Sequence, residues 1–234
     1  MDEILNGLKA AAELVLRLDP YLIEISLRSL AITLSAVAIA SAIGLPLGAW
    51  LAVRRFRGRQ GAVVVLNGLM GLPPVVVGLV VYLALSRSGP LGVLGLLFTP
   101  GAMILAQTVI LLPLIASIAL QVIEDLWEEY RELLTSLDAR PGQQIVTLLW
   151  EGRHGLVTAA LAGFGRGIGE VGAVMIVGGN IDHATRVLTT AITLETSRGN
   201  FALALGLGMV LIALALIVTA LTRAITRRGR SLAA

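Results

Sequence analysis

A chain of 234 residues with 56% hydrophobic residues, 26 glycines and 14% charged residues is about two-thirds apolar, against roughly 45–50% for a soluble domain, which excludes a large water-solvated fold. With no cysteine there is no disulfide, thiol catalysis or Cys-based metal site, and two histidines, His154 and His183, are too few for the usual zinc cages. Lys9 is the one lysine beside seventeen arginines, so no G-x-x-x-x-G-K-[ST] phosphate loop exists; the net charge of +3 lies in arginine clusters beside apolar runs, a membrane topology signal and not a nucleic-acid surface.

In chain order, Ile4, Leu8, Ala11, Val15 and Leu18 recur at helical spacing opposite Glu3, Lys9, Glu13 and Arg17, until Asp19-Pro20 ends the pattern. This predicts an interfacial helix within an outer-surface segment, residues 1–28. Its acidic start lacks the basic region and cleavage site of a signal peptide.

Five apolar runs then reach the ~20 residues that a helix needs to cross hydrocarbon. They are Ser29 to Val53, Gln60 to Ser86, Ser88 to Ile123, Gly155 to Ile181 and Gly199 to Thr222. Gly89, Pro90, Gly92, Gly95 and Pro100 crowd the start of the third run, so residues 88–100 read as a loop and the helix starts near Gly101. Pro73-Pro74 and Pro113 predict kinks or unwinding in spans two and three. The expectation is an all-α polytopic membrane protein with one transmembrane domain over 29–222 and a basic tail over 223–234.

An odd number of spans puts the termini on opposite sides. The 54–59 turn, the 124–154 loop and the tail hold eleven arginines, against six basic residues on the other side. The positive-inside rule therefore predicts a cytoplasmic C-terminus and central loop, with the N-terminus outside.

That central loop is patterned. Leu126, Tyr130, Leu133, Leu134 and Leu137 form an apolar stripe beside Glu128, Glu129, Arg131 and Glu132, Arg140-Pro141-Gly142 breaks it, and a second helix resumes from Gln143 with Ile145, Leu148 and Trp150. The result is a helical elbow with an apolar face available to its own bundle or to a partner.

In span four, Arg166 and Glu170 stand four residues apart. Either would cost ~2.5–3.5 kcal/mol facing lipid at mid-membrane, so the spacing predicts a pair on one helix face, serving either the translocation path or helix locking. Gly163 with Gly167 and Gly165 with Gly169 read as close helix packing and not as a dinucleotide loop, since no strand precedes them.

Glu132-Leu133-Leu134 followed by Leu137-Asp138-Ala139 and a membrane-returning helix resembles the EAA loop of ABC importer permeases, with Asp138 where that loop usually has glycine and Glu151 near its later proline. Gly163-Phe164-Gly165-Arg166-Gly167-Ile168-Gly169-Glu170, Gly178-Gly179-Asn180-Ile181 and Leu194-Glu195-Thr196-Ser197-Arg198-Gly199 resemble the permeases of group 6 oxyanions, nearest the tungstate branch, as do Ser86-Arg87-Ser88-Gly89-Pro90-Leu91-Gly92 and Leu96-Leu97-Phe98-Thr99-Pro100.

The resemblance implies a type I importer permease that is not itself an enzyme and holds no cofactor. A homodimer would work with two ATPase subunits, which bind ATP and Mg, and with an extracytoplasmic oxyanion-binding protein, in a prokaryotic inner membrane. Glu132, Leu133, Leu134, Leu137, Asp138, Ala139 and Arg140 would couple to the ATPase. Arg166, Glu170 and Asn180 are candidates for the path or gate, and Arg186, Glu195 and Arg198 of the outer 179–198 loop for binding-protein docking. No catalytic or metal-binding residue is expected. The alternatives are a molybdate or sulfate permease of the same type and, in a different class, an ATP-independent channel, a membrane scaffold or an intramembrane enzyme; the last would need Glu170 and His154 to be catalytic.

Overall fold

The structure, a computed structural model, describes residues 20–231; the interfacial helix expected over the first nineteen residues lies outside them. All regular elements among the described residues are helices, which satisfy their own backbone hydrogen bonds in hydrocarbon. They are α1 (Pro20–Val53), α2 (Arg59–Leu69), α3 (Pro74–Leu85), a 3-10 turn (Gly92–Leu94), α4 (Pro100–Ser136), α5 (Pro141–Glu151), α6 (Arg153–Ile168), α7 (Gly172–Gly178), α8 (Leu188–Ser197) and α9 (Phe201–Ser231).

Among the described residues, three helices are long and apolar enough to cross a membrane: α1, α4 and the Phe201–Ala220 part of α9. Two more spans exist if α2 with α3, and α6 with α7, are each counted as one across their breaks. The first break falls at Pro73-Pro74, as the prolines predict. The second, between Ile168 and Gly172, interrupts a run that reads as continuous in the sequence.

Other boundaries differ from expectation for local reasons. Helix α1 already covers residues 20–28, well before the apolar run at Ser29. Helix α4 does not stop at the membrane edge: its 37 residues, about 55 Å of helix, carry the third span and the amphipathic stripe of the central loop in one rod. Nothing between Ile123 and Leu126 breaks a helix. Helix α5 starts at Pro141 and not at Gln143, because proline serves as the first helical residue; the Gln143 side chain accepts the Arg140 N–H at 2.8 Å.

The described residues divide into two compact units, one of residues 36–73 and 108–167, the other of residues 20–35, 74–107 and 168–231. In the first, α1 packs on α4 so closely that a Cβ on Gly48 would sit 2.4 Å from the Ala116 carbonyl oxygen. On α6, a Cβ on Gly163 would meet Ile115 at 2.7 Å. This core runs from Ala116, Ala119 and Ile123 to Leu134 and Leu148 at the elbow. In the second unit α3 lies against α7, where a Cβ on Gly78 would meet the Ala173 Cα at 2.7 Å, and Leu22 and Ile25 pack with Leu188, Ala191 and Leu207. Gly163 thus has the close-packing role expected of it, whereas Gly165 and Gly169 face open space.

Candidate functional site

The elbow is built by the end of α4 and the start of α5. Asp138 takes a left-handed conformation, φ 50°, its N–H bonding Thr135 O at 3.0 Å, while the Ala139 N–H reaches back to Leu134 O at 3.1 Å. This is the Schellman arrangement that ends many helices, and it requires at this residue a conformation that glycine takes freely and Asp tolerates better than most. Asp138 can therefore stand where the resembling loop has glycine. The Gln144 side chain donates to Ala139 O at 2.9 Å and ties α5 to the turn.

The apolar stripe divides at this point. Leu134 is 6% exposed and belongs to the core, but Leu133 and Leu137, four residues apart on one face, are 54% and 68% exposed. Glu132, Asp138 and Arg140 around them are exposed and Ala139 is half-buried. Beside this face lies a cleft of about 770 Å³ with Arg55, Arg59, Arg131, Glu124, Glu128 and Glu132 in its walls, where Arg59 pairs with Glu124. Asp125 brings its acids to four against three arginines, so the cleft forms no net positive well for a dianion; its alternating charge suits a protein surface.

Arg166 and Glu170 do not share a helix. Helix α6 ends at Ile168 with Arg166 exposed in its last turn, where a cation complements the helix dipole. Glu170 stands past the break, 7% exposed. The expected i,i+4 relation is therefore lost. Instead Glu170 Oε1 accepts the Ala173 N–H of the first turn of α7 at 3.2 Å, and its backbone carbonyl accepts the Thr189 hydroxyl of α8 at 3.0 Å. Ser29, Thr33, Gln107 and Thr189 line a pocket of about 10 Å³ with Glu170, room for about one water and not for a tetrahedral oxyanion.

Residues 179–198 are not a simple loop, since α8 occupies half of them with Leu188, Thr189, Thr190 and Ala191 buried. The turn before α8 is tied down. The Arg186 guanidinium pairs with Asp182 at 2.9 Å and donates to the Tyr21 hydroxyl at 2.7 Å, which donates to Asp182 at 3.1 Å. It also donates to the Asn180 side-chain oxygen at 3.3 Å. Arg28, paired with Glu24, donates to Arg186 O at 3.0 Å and His183 O at 2.8 Å, and His183 Nδ1 meets Glu24 at 2.9 Å. Thr185, fully buried, donates to Gly178 O at 2.5 Å and accepts the Ile181 N–H at 2.9 Å. Burial opposes charge on Asp182 and Arg186, but the Tyr21 hydroxyl and their mutual attraction outweigh it, holding the carboxyl below its ordinary range and the guanidinium above its own.

A family model described as the inner membrane component of binding-protein-dependent transport systems matches residues 44–231. The chain belongs to that permease family. It is 45% identical over 206 residues to a probable anion ABC transporter permease protein of Haloferax volcanii, covering 86% of this chain and 89% of that one. It is 39% identical to the tungstate uptake system permease protein TupB of Peptoclostridium acidaminophilum, covering 94% and 96% of the two chains, and 35% identical to TupB of Campylobacter jejuni, covering 97% and 95%. In fold it matches the MetNI methionine ABC transporter in inward-facing conformations, with TM-score 0.73 at 19% identity over 89% of this chain and 95% of that one. It is the multi-pass membrane permease of an ABC importer, of the type I importer fold.

For this permease, the structure brings the expected elbow residues Glu132 to Arg140 together on one turn, with Leu134 turned into the core. Asn180 stands with Arg186 in the tied turn. Glu195 and Arg198 pair with each other at 3.0 Å at the end of α8, and the Asn200 side chain donates to Glu195 at 3.1 Å. Sequence reasoning missed Tyr21, Glu24, Asp182 and His183. Their partners lie about 160 positions away along the chain, so no local pattern announces them.

Proposed function

We propose that this permease carries tungstate or a closely related oxyanion, delivered by an extracytoplasmic binding protein, through a pore made by two copies of the chain and powered by two separate ATPase subunits that bind ATP and Mg. The observation that carries this reading is the 39% and 35% identity to tungstate permeases over almost the entire chain. The molybdenum permease ModB of Azotobacter vinelandii matches 64% of the chain at 33%, and a sulfate permease of Synechocystis matches at 27%.

In this reading the elbow enters the ATPase through Leu133 and Leu137, whose burial against a partner removes exposed apolar surface, with Glu132, Asp138 and Arg140 as a polar rim. Leu134 and Ala139 hold the turn in shape from behind. The central loop and C-terminus are cytoplasmic and the N-terminus is outside, by the arginine balance. Glu170, capping α7 and receiving α8, acts at the gate by setting the broken span, and Arg166 and Asn180 contribute polar groups to the path. Glu195 and Arg198, with the tied turn around Arg186, offer the binding protein a pre-ordered surface.

The test is ATP hydrolysis by proteoliposomes holding the permease, its ATPase and its binding protein, with tungstate, molybdate, sulfate or no anion. Stimulation at the lowest concentration by tungstate supports the reading. A preference for molybdate or sulfate moves the substrate assignment and leaves the importer intact; a permease that transports without the ATPase overturns the ATP-driven reading.

A further inference from the structure

We propose that the groove between α1 and α6 is a binding site for one anionic phospholipid. The groove holds about 470 Å³ and is walled by Leu45, Pro46, Val157 and Ala160, an apolar trough of the size of a ligand pocket. On this proposal the trough opens to acyl chains and not to water.

One end is polar. At the end nearest the elbow stands Arg153, whose guanidinium donates to Trp150 O at 2.7 Å and lies 5.0 Å from the Trp150 ring centroid. Arg153 forms no ion pair among the described residues, although a guanidinium offers five donors. Trp150 is 67% exposed, and an exposed Trp beside an apolar trough marks the headgroup level of a bilayer. A cation with free donors at that level fits a phosphate.

Deeper in the trough, Pro46 supplies no N–H to the carbonyl of Ala42, one turn earlier, and the Ser41 Oγ is buried with no hydrogen-bond partner. Both residues line the groove. The Ser41 hydroxyl has no accessible surface and stays outside the contact; an acyl chain lies along Leu45, Pro46, Val157 and Ala160 with its phosphate on Arg153. The anionic headgroup, with no cationic group of its own, leaves the Arg153 charge matched.

The test uses the full-length chain in nanodiscs of mixed phosphatidylglycerol and phosphatidylcholine, followed by mild detergent extraction and mass measurement of the retained lipid, with thermal melting in parallel. The wild-type chain should retain phosphatidylglycerol over phosphatidylcholine, and Arg153→Gln should lower that preference about fivefold, the effect of one basic residue at a membrane surface. Arg153→Lys should keep most of it, which separates charge from folding. Ala160→Leu, filling the trough, should abolish retention of either lipid. Inorganic phosphate should not reproduce the stabilisation that phosphatidylglycerol confers. The proposal is overturned if Arg153→Gln and Ala160→Leu retain lipid as the wild type does, if phosphate alone stabilises equally, or if an Ala160→Cys variant cross-links between two copies, which would place a second permease over the groove.

Discussion

The elbow and the turn before α8 both carry charged residues that read alike in the sequence, and the structure treats them oppositely. Around Asp182 and Arg186 every charge is met from within, by Tyr21, Asn180 and the Arg28 pairings. At the elbow, Leu133 and Leu137 stay more than half exposed while Leu134, one residue away, is buried. In the proposed function the surface that has satisfied itself serves as a scaffold, and the one that leaves apolar groups on the turn is offered to a partner.

The largest test of this contrast is at the elbow. Leu133→Asp with Leu137→Asp should reduce ATPase stimulation at least about tenfold, as loss of an interface anchor does, while the melting temperature of the isolated permease stays unchanged. Leu134→Ala should do the reverse first, costing about 2–5 kcal/mol of stability through its cavity, measured by denaturation in micelles. Equal destabilisation by all three changes would dissolve the distinction between partner face and core.

A smaller effect is expected at the α1–α4 contact, where Gly48→Ala must push against backbone and should cost about 1–3 kcal/mol. On the other side of the contrast, Arg186→Gln should lower the melting temperature by a few degrees while leaving coupling to the ATPase intact. The same network predicts a pH effect. The Asp182 carboxyl titrates below its ordinary range when folded, so its stabilisation is present above the unfolded value and is lost as pH falls through the folded one. Melting of the wild type should therefore converge on that of Asp182→Asn at acid pH and exceed it at neutral pH. The smallest effect is at Asp138: replacement by glycine should change stability by less than about 1 kcal/mol, whereas Asp138→Val should cost about 1–2 kcal/mol because a β-branched residue resists the left-handed conformation.

Much of the fold was legible in the chain. The apolar runs, the proline break in the second span, the irregular stretch before Pro100 and the elbow at Arg140-Pro141 all follow from length, periodicity and proline geometry, which are local properties. The break after Ile168 was not legible. Arg166 and Glu170 at a four-residue spacing carry the signature of a helical pair, and only the packing of α7 against α3 through Gly78, with Thr189 received by the Glu170 carbonyl, decides that the helix restarts. Gly165 and Gly169, equally good packing glycines by pattern, turned out to face open space for the same reason: spacing says which residues share a face, and not what that face meets.

The sequence by itself thus determined that the chain crosses a membrane, where its elbow turns, and to which family of permeases its motifs point, since hydropathy, helix breaking and motif identity are written residue by residue. The tertiary structure alone decided which leucine of the elbow is core and which is surface, that Glu170 caps a helix instead of pairing with Arg166, and that Arg186 is bound to residues at the far end of the chain. Those outcomes depend on which distant side chains arrive at 3 Å, and a linear pattern holds no record of distance across the fold.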